Sequence, residues 1–265
     1  MQQNVINNPF LPEGKFFWGD NPPFSPVDEP CGKLYQFHNG DNGHSLDGSD
    51  YRHEDQMLLL ERIKQAAINE PILMNKNPYN SVRVQWLKKI FPECKIIAMV
   101  RNPIANVYSL LKKYQATAGE INEDWWGIKP KDWKKLVSHD KAEQSSNQWN
   151  IVNKEILDNI ENIDLLINYE DLCMDSNSIV TQSIELSSIH HQVTNLPQCK
   201  NFNDEYKIGS RLLSKNKELR KSKDFDLSKL SETLEFPALT NNQIKCIRDI
   251  CSQTWLDLQE CSKRY

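Results

Sequence analysis

Apolar and polar positions change period several times along this chain, and each change marks an element. From Glu54 to Glu70 the apolar residues Met57, Leu58, Leu60, Ile63, Ala66 and Ala67 recur at helical spacing. Pro71 ends the pattern, and Ile72-Leu73-Met74 reads as a short buried strand within 71–75. Asn80 or Ser81 is placed to cap a second helix carrying Val82, Val84, Leu87 and Ile90-Phe91. After Pro92, Lys95-Ile96-Ile97-Ala98-Met99-Val100 is continuous and apolar, the pattern of a strand covered on both faces. Asn102 then caps a helix with Pro103 in its first position, running through Val107, Leu110 and Leu111 to about Tyr114. Beyond a loop with Trp125, Trp126 and Trp133, a helix spans about Lys141–Asn162. Ile163–Asn168 is a third strand, Asp175 begins a further helix, and a last one lies near Asn241–Cys261.

Strand and helix alternate three times, which predicts an α/β fold with a parallel sheet and right-handed crossovers. Its inner strands are expected at 71–75, 95–100 and 163–168, with helices on both faces. Before His53, Pro9, Pro12, Pro22, Pro23, Pro26 and Pro30 punctuate every short apolar run. Residues 1–265 therefore read as one domain: an irregular lead over 1–53, an α/β core over 54–192, and a basic loop with a C-terminal helix over 193–265.

Composition narrows the classes of function. Hydrophobic residues at 38% and charged residues at 26% describe a soluble globular chain. No apolar run approaches the roughly 18 residues of a membrane span, and Met1-Gln2-Gln3-Asn4 lacks the basic and apolar start of a secretory signal. A net charge of −4 argues against a chain-wide nucleic-acid surface. Seven cysteines without a C-x-x-C pair suit reduced thiols, hence a cytoplasmic setting. Charge is uneven, however. Residues 200–223 carry eight bases against Asp204, Glu205 and Glu218, which reads either as a solvated face or as an anion-facing lid.

In a parallel α/β sheet, ligands sit beyond the C-terminal strand ends. Three segments place polar residues there: Asn75-Lys76-Asn77-Pro78, Arg101-Asn102-Pro103 and Tyr169-Glu170-Asp171. Arg101 leaves its strand as a helix begins, where free amides would favour an anion, and Ser109 offers a hydroxyl two turns along. An arginine fork, a hydroxyl and a helix start together make phosphate chemistry. The alternative is that Arg101 pairs with Glu170 or Asp171 and holds the sheet edge.

The order of motifs adds to this. Lys76-Asn77-Pro78-Tyr79-Asn80, Phe91-Pro92-Glu93-Cys94-Lys95-Ile96-Ile97, Arg101-Asn102-Pro103 with Ser109, and Tyr169-Glu170-Asp171-Leu172 together resemble a sulfotransferase over about residues 70–190. That family shows K-x-P, F-P-x-x-K, R-x-P with a serine eight residues after the arginine, and Y-E-D-L. The resemblance implies a P-loop-like three-layer sandwich and 3′-phosphoadenosine 5′-phosphosulfate as donor, without a metal. It implies that Arg101 and Ser109 hold the donor's 3′-phosphate, that Tyr169 lies near its adenine, and that Lys76 is the catalytic cation beside the sulfuryl group. The acceptor is then a small molecule or carbohydrate.

One departure stands out. The family opens with a strand, a K/R-[ST]-G-[ST]-[ST] loop and a helix, and no such loop precedes Lys76; no glycine lies between Ser49 and Ala118. The expected fold thus lacks its first β–loop–α unit, as a shortened chain would, and activity of these residues alone is expected to be poor. Lys207-Ile208-Gly209-Ser210-Arg211 is the nearest match by composition, at the other end of the chain. Asn77 and Pro78 stand where cytosolic members carry a catalytic histidine. The candidate bases are therefore Asp20, Glu29, Asp47, His53 and Glu54, with no spacing to separate them. The three tryptophans read either as an acceptor platform or as a cap on the core. The other functional reading is a non-catalytic relative that binds nucleotide or serves as an interaction domain. A small kinase is disfavoured, because no glycine-rich Lys-[ST] loop is present.

Overall fold

The computed structural model describes residues 6–7, 43–66, 72–117, 125–186 and 239–263. Among these, residues up to Ile96 with Gly127–Val137 and Asp158–Ile163 form one compact unit, and the remainder form a second. The lead before Gly43, apart from Ile6–Asn7, and the basic segment with Lys207–Arg211 lie outside the described residues.

In the first unit, β1 (Ile6–Asn7) pairs in parallel with β2 (Ile72–Leu73), Ile6 opposite Ile72. Helix α1 (His53–Ala66) starts where the pattern placed it. Leu59 of α1 joins Leu46 and the Trp86, Leu87 and Ile90 face of α2 (Val84–Ile90) in a buried cluster. Polar side chains complete that packing. Gln56 Nε2 donates to Ile90 O at 2.8 Å, satisfying a carbonyl at the end of α2, and Tyr51 Oη donates to Gln56 Oε1 at 2.8 Å. Buried Asp55 is gripped by both ends of the Arg52 fork, at 2.9 and 2.7 Å. At Gly43 a Cβ would lie 2.3 Å from Lys129 O, and φ is +58°, so glycine is required where the two loops meet.

The predicted cap at Asn80 or Ser81 is corrected. Asn77 caps a 3-10 turn over Pro78–Val82, its side chain accepting from Tyr79 N, and α2 follows from Arg83 without a side-chain cap. Proline at the first position suits a turn as well as a helix, so periodicity alone could not choose between them.

In the second unit, β3 (Ile97–Val100) and β4 (Leu165–Asn168) are parallel, in register from Ile97–Leu165 to Val100–Asn168. Around them run α3 (Pro103–Thr117), α4 (Lys141–Asp158), α5 (Tyr169–Met174), α6 (Ser176–Leu186) and α7 (Asn241–Ser262). Helix α7 begins with a Thr240–Gln243 capping box, lies against α3 and β4, and buries Ile247, Cys251, Thr254, Trp255 and Leu258. Trp255 meets Trp149 of α4 at 6.3 Å between ring centroids. Cys94, Cys246, Cys251 and Cys261 are free thiols. Burial pushes the Cys251 thiol up to about 12, as suits an inert core residue.

The class is as expected, helix-rich α/β with parallel pairing, but two details change. The strand at 71–75 does not join the other two among the described residues. It shrinks to two residues, and its partner is Ile6–Asn7, in the lead read as irregular. A two-residue strand leaves no period to detect. Nor is Lys95–Val100 covered on both faces: Ala98 and Val100 are buried, while Ile97 and Met99 are 42% and 48% exposed. An unbroken apolar run does not say which of its faces is covered.

Candidate functional site

The C-terminal ends of β3 and β4 lie side by side, and each passes directly into a helix. At the end of β3, Arg101 is half-buried, and its guanidinium carbon stands 5.0 Å from the centroid of the Tyr169 ring. This stacking suits a flat, weakly hydrated cation. Arg101 Nε is buried without a hydrogen-bond partner, and among the described residues Arg101 forms no ion pair. The pairing with Glu170 or Asp171 weighed from the sequence is therefore not made. A buried donor on a cation, without a hydrogen-bond partner, is what an anion would satisfy.

The turn after Arg101 is tied down by side chains. Asn102 Oδ1 accepts from Ile104 N at 2.9 Å and Ala105 N at 3.3 Å, and Asn102 N donates to Glu170 Oε1 at 3.0 Å. Trp149 Nε1 donates to Arg101 O at 3.1 Å. The expectation of free amides at this helix start is corrected here. Pro103 has no N–H, and the next two amides belong to Asn102. Any anion recognition at this end therefore rests on side chains.

Ser109 is exposed on α3. Asn102, Asn106 and Ser109 recur at helical spacing, so the hydroxyl lies on the side of the helix that carries its cap, about 9 Å along the axis from Pro103. Tyr169 is half-buried at the start of α5. Burial raises the Glu170 carboxyl above the usual carboxylate value and Asp171 adds to this, against the Asn102 N–H and Arg101, which lower it.

Lys76 belongs to the first unit, exposed just past β2 and beside the Asn77 cap. Of the candidate bases, Asp20 and Glu29 lie outside the described residues, and His53 and Glu54 are exposed at the start of α1. Asp47 caps a 3-10 turn; the Ser49 hydroxyl and amide hold its carboxyl below the usual range. Trp125 is buried, as a cap on the core would be, whereas Trp126 is half-buried, its N donating to Tyr114 Oη at 2.9 Å and its ring centroid 5.9 Å from the Lys113 ammonium. Trp133, in the first unit, has the Lys129 ammonium 4.8 Å from its ring centroid. A cavity of about 300 Å³ runs along β4 between Leu166, Gln182 and Gln259, and none of Lys76, Arg101, Ser109 or Tyr169 lines it. Among the described residues no three His, Cys, Asp or Glu side chains converge as a metal site requires, and no helix is long and apolar enough to cross a membrane.

Sequence reasoning missed Trp149, whose bond to Arg101 O spans 48 positions and leaves no local signal. A family model described as the sulfotransferase family matches residues 34–185, more than half of the 265. No curated protein and no solved structure matches the chain.

Proposed function

The chain belongs to the sulfotransferase family, and on that premise we propose that it transfers a sulfuryl group from 3′-phosphoadenosine 5′-phosphosulfate to a hydroxyl or amine acceptor. The observation that carries this reading is Arg101, stacked on Tyr169 at the end of a parallel strand pair with a buried, unpartnered Nε. Such a site fits the 3′-phosphate of the donor, with Ser109 adding a hydroxyl and Tyr169 lying toward the adenine. In the transfer the acceptor's lone pair attacks sulfur, the bond from sulfur to the 5′-phosphate oxygen breaks, and adenosine 3′,5′-bisphosphate leaves. The acceptor's proton passes to a base. Lys76 supplies the cation for charge developing on the bridging oxygen, and the acceptor is a small molecule or carbohydrate.

A second reading has one observation in its favour: none of the 265 residues forms the K/R-[ST]-G-[ST]-[ST] sequence that would grip the donor's 5′ end. In that reading the chain binds nucleotide without turnover. Two measurements decide. Calorimetric titration should show adenosine 3′,5′-bisphosphate binding more tightly than adenosine 5′-phosphate, since Arg101 and Ser109 would read the extra phosphate; equal affinities end the donor assignment. Transfer of radiolabelled sulfate to sugar, phenol and amine acceptors then separates enzyme from binder. For residues 1–265 alone we expect little turnover, because losing even one preorganised donor typically lowers rate by about 10²–10³.

A further inference from the structure

A carboxylate beside an arginine meant for phosphate is a puzzle, because it competes for the same cation. The geometry of Glu170 resolves it. Its Oε1 accepts the N–H of Asn102 at 3.0 Å, across 68 positions of sequence, and Arg101 makes no ion pair with it. On the carbonyl side of the same residue, Trp149 Nε1 holds Arg101 O at 3.1 Å. Asn102 Oδ1 is already committed to the helix amides. The direction in which the strand ends, and hence the aim of the guanidinium, therefore depends on the Glu170 contact.

We infer that Glu170 is a positioning residue for Arg101: by accepting the Asn102 N–H it holds the turn that aims the guanidinium, and so sets how well the site distinguishes a 3′-phosphate from a 3′-hydroxyl. The inference rests on the donor reading above. The effect of Glu170 passes through a turn whose precision decides binding.

Two substitutions separate geometry from charge. Glu170→Gln removes the charge and keeps an acceptor oxygen in place, whereas Glu170→Asp keeps the charge and draws the oxygens back by one methylene. The readout is the ratio of affinities for adenosine 3′,5′-bisphosphate and adenosine 5′-phosphate, with thermal melts to report folding. We expect Glu170→Gln to keep the ratio within about twofold and Glu170→Asp to lower it about tenfold, the scale of a hydrogen bond to a charged group. Affinity for adenosine 5′-phosphate should hold in both. An unchanged ratio in Glu170→Asp, equal losses for both nucleotides, or a fall in Glu170→Gln alone each overturns the inference. A wild-type chain that fails to discriminate overturns the donor reading and this inference with it; discrimination that the variants leave untouched overturns only the inference. Should Glu170→Asp not fold, the Asn102 amide proton decides: slow hydrogen exchange that stays slow in Glu170→Gln supports the brace, and fast exchange in either chain removes it.

Discussion

The tripeptides Lys76-Asn77-Pro78 and Arg101-Asn102-Pro103 repeat one pattern, a base and then an asparagine–proline cap, each at the end of a parallel strand. Both asparagines do the same local work. Asn77 Oδ1 accepts from Tyr79 N at 3.0 Å, and Asn102 Oδ1 from Ile104 N at 2.9 Å. Their surroundings then diverge. Asn77 opens a five-residue 3-10 turn and leaves Lys76 exposed, whereas Asn102 opens a fifteen-residue helix and sets Arg101 against Tyr169. The same local chemistry thus yields one solvent-facing cation on a long stem and one stacked, directional fork. An ammonium can follow a charge that moves during reaction; a stacked guanidinium suits a group that must be held still.

The sharpest way to break this contrast is to remove each cation in turn. Arg101→Ala should weaken adenosine 3′,5′-bisphosphate binding by about 1.5–3 kcal/mol, as for a charge-assisted hydrogen bond, and Ser109→Ala by about 1 kcal/mol. Lys76→Ala should change that affinity by less than about 0.5 kcal/mol, as expected of an exposed position. Titration calorimetry on the three variants reads this directly. A larger loss at Lys76 than at Arg101 would invert the assignment of which cation holds and which reacts.

The caps offer a smaller test. Asn102→Ala should destabilise the chain by about 1–2 kcal/mol and Asn77→Ala by about 0.5–1 kcal/mol, both within the range for lost caps. Asn102 falls in the upper part because its side chain serves two amides of a long helix and is 1% exposed. Denaturant unfolding compares them. Equal losses would mean that helix length adds nothing to the value of the cap.

Much of this was legible from local pattern. The start of α3 at Asn102-Pro103, the strand before it and the extent of α7 follow from a cap, an apolar run and a helical stripe. What escaped was either too short or too distant. Helix α5 has six residues and β1 two, less than any period needs to show itself. The Asn102–Glu170 and Arg101–Trp149 bonds join residues 68 and 48 positions apart, so only the fold reveals them. Arg83, 1% exposed with Nε donating to His44 O at 2.7 Å, carries no local sign of burial, since arginine is seldom found fully inside.

The smallest expected effect concerns protons, and its sign follows from the causes acting on Glu170. The Asn102 N–H, the residue's own backbone N–H and Arg101 favour the charged form, and Asp171 opposes it. Burial outweighs them, so the folded chain holds a proton at pH values where the unfolded chain has released it. Between the unfolded and the folded values the native state binds more protons, and stability falls as pH rises through that window. The contribution is fully present below the usual carboxylate value and gone above the raised one. Glu170→Gln has no proton to lose. Its unfolding free energy relative to wild type should therefore rise with pH from the usual carboxylate value to the raised one and level off above it. Paired denaturant curves at a series of pH values measure the difference, from which other titrating groups largely cancel. A difference that falls with rising pH would mean that Arg101 outweighs burial, making Glu170 a charged partner of the arginine instead of a brace beside it.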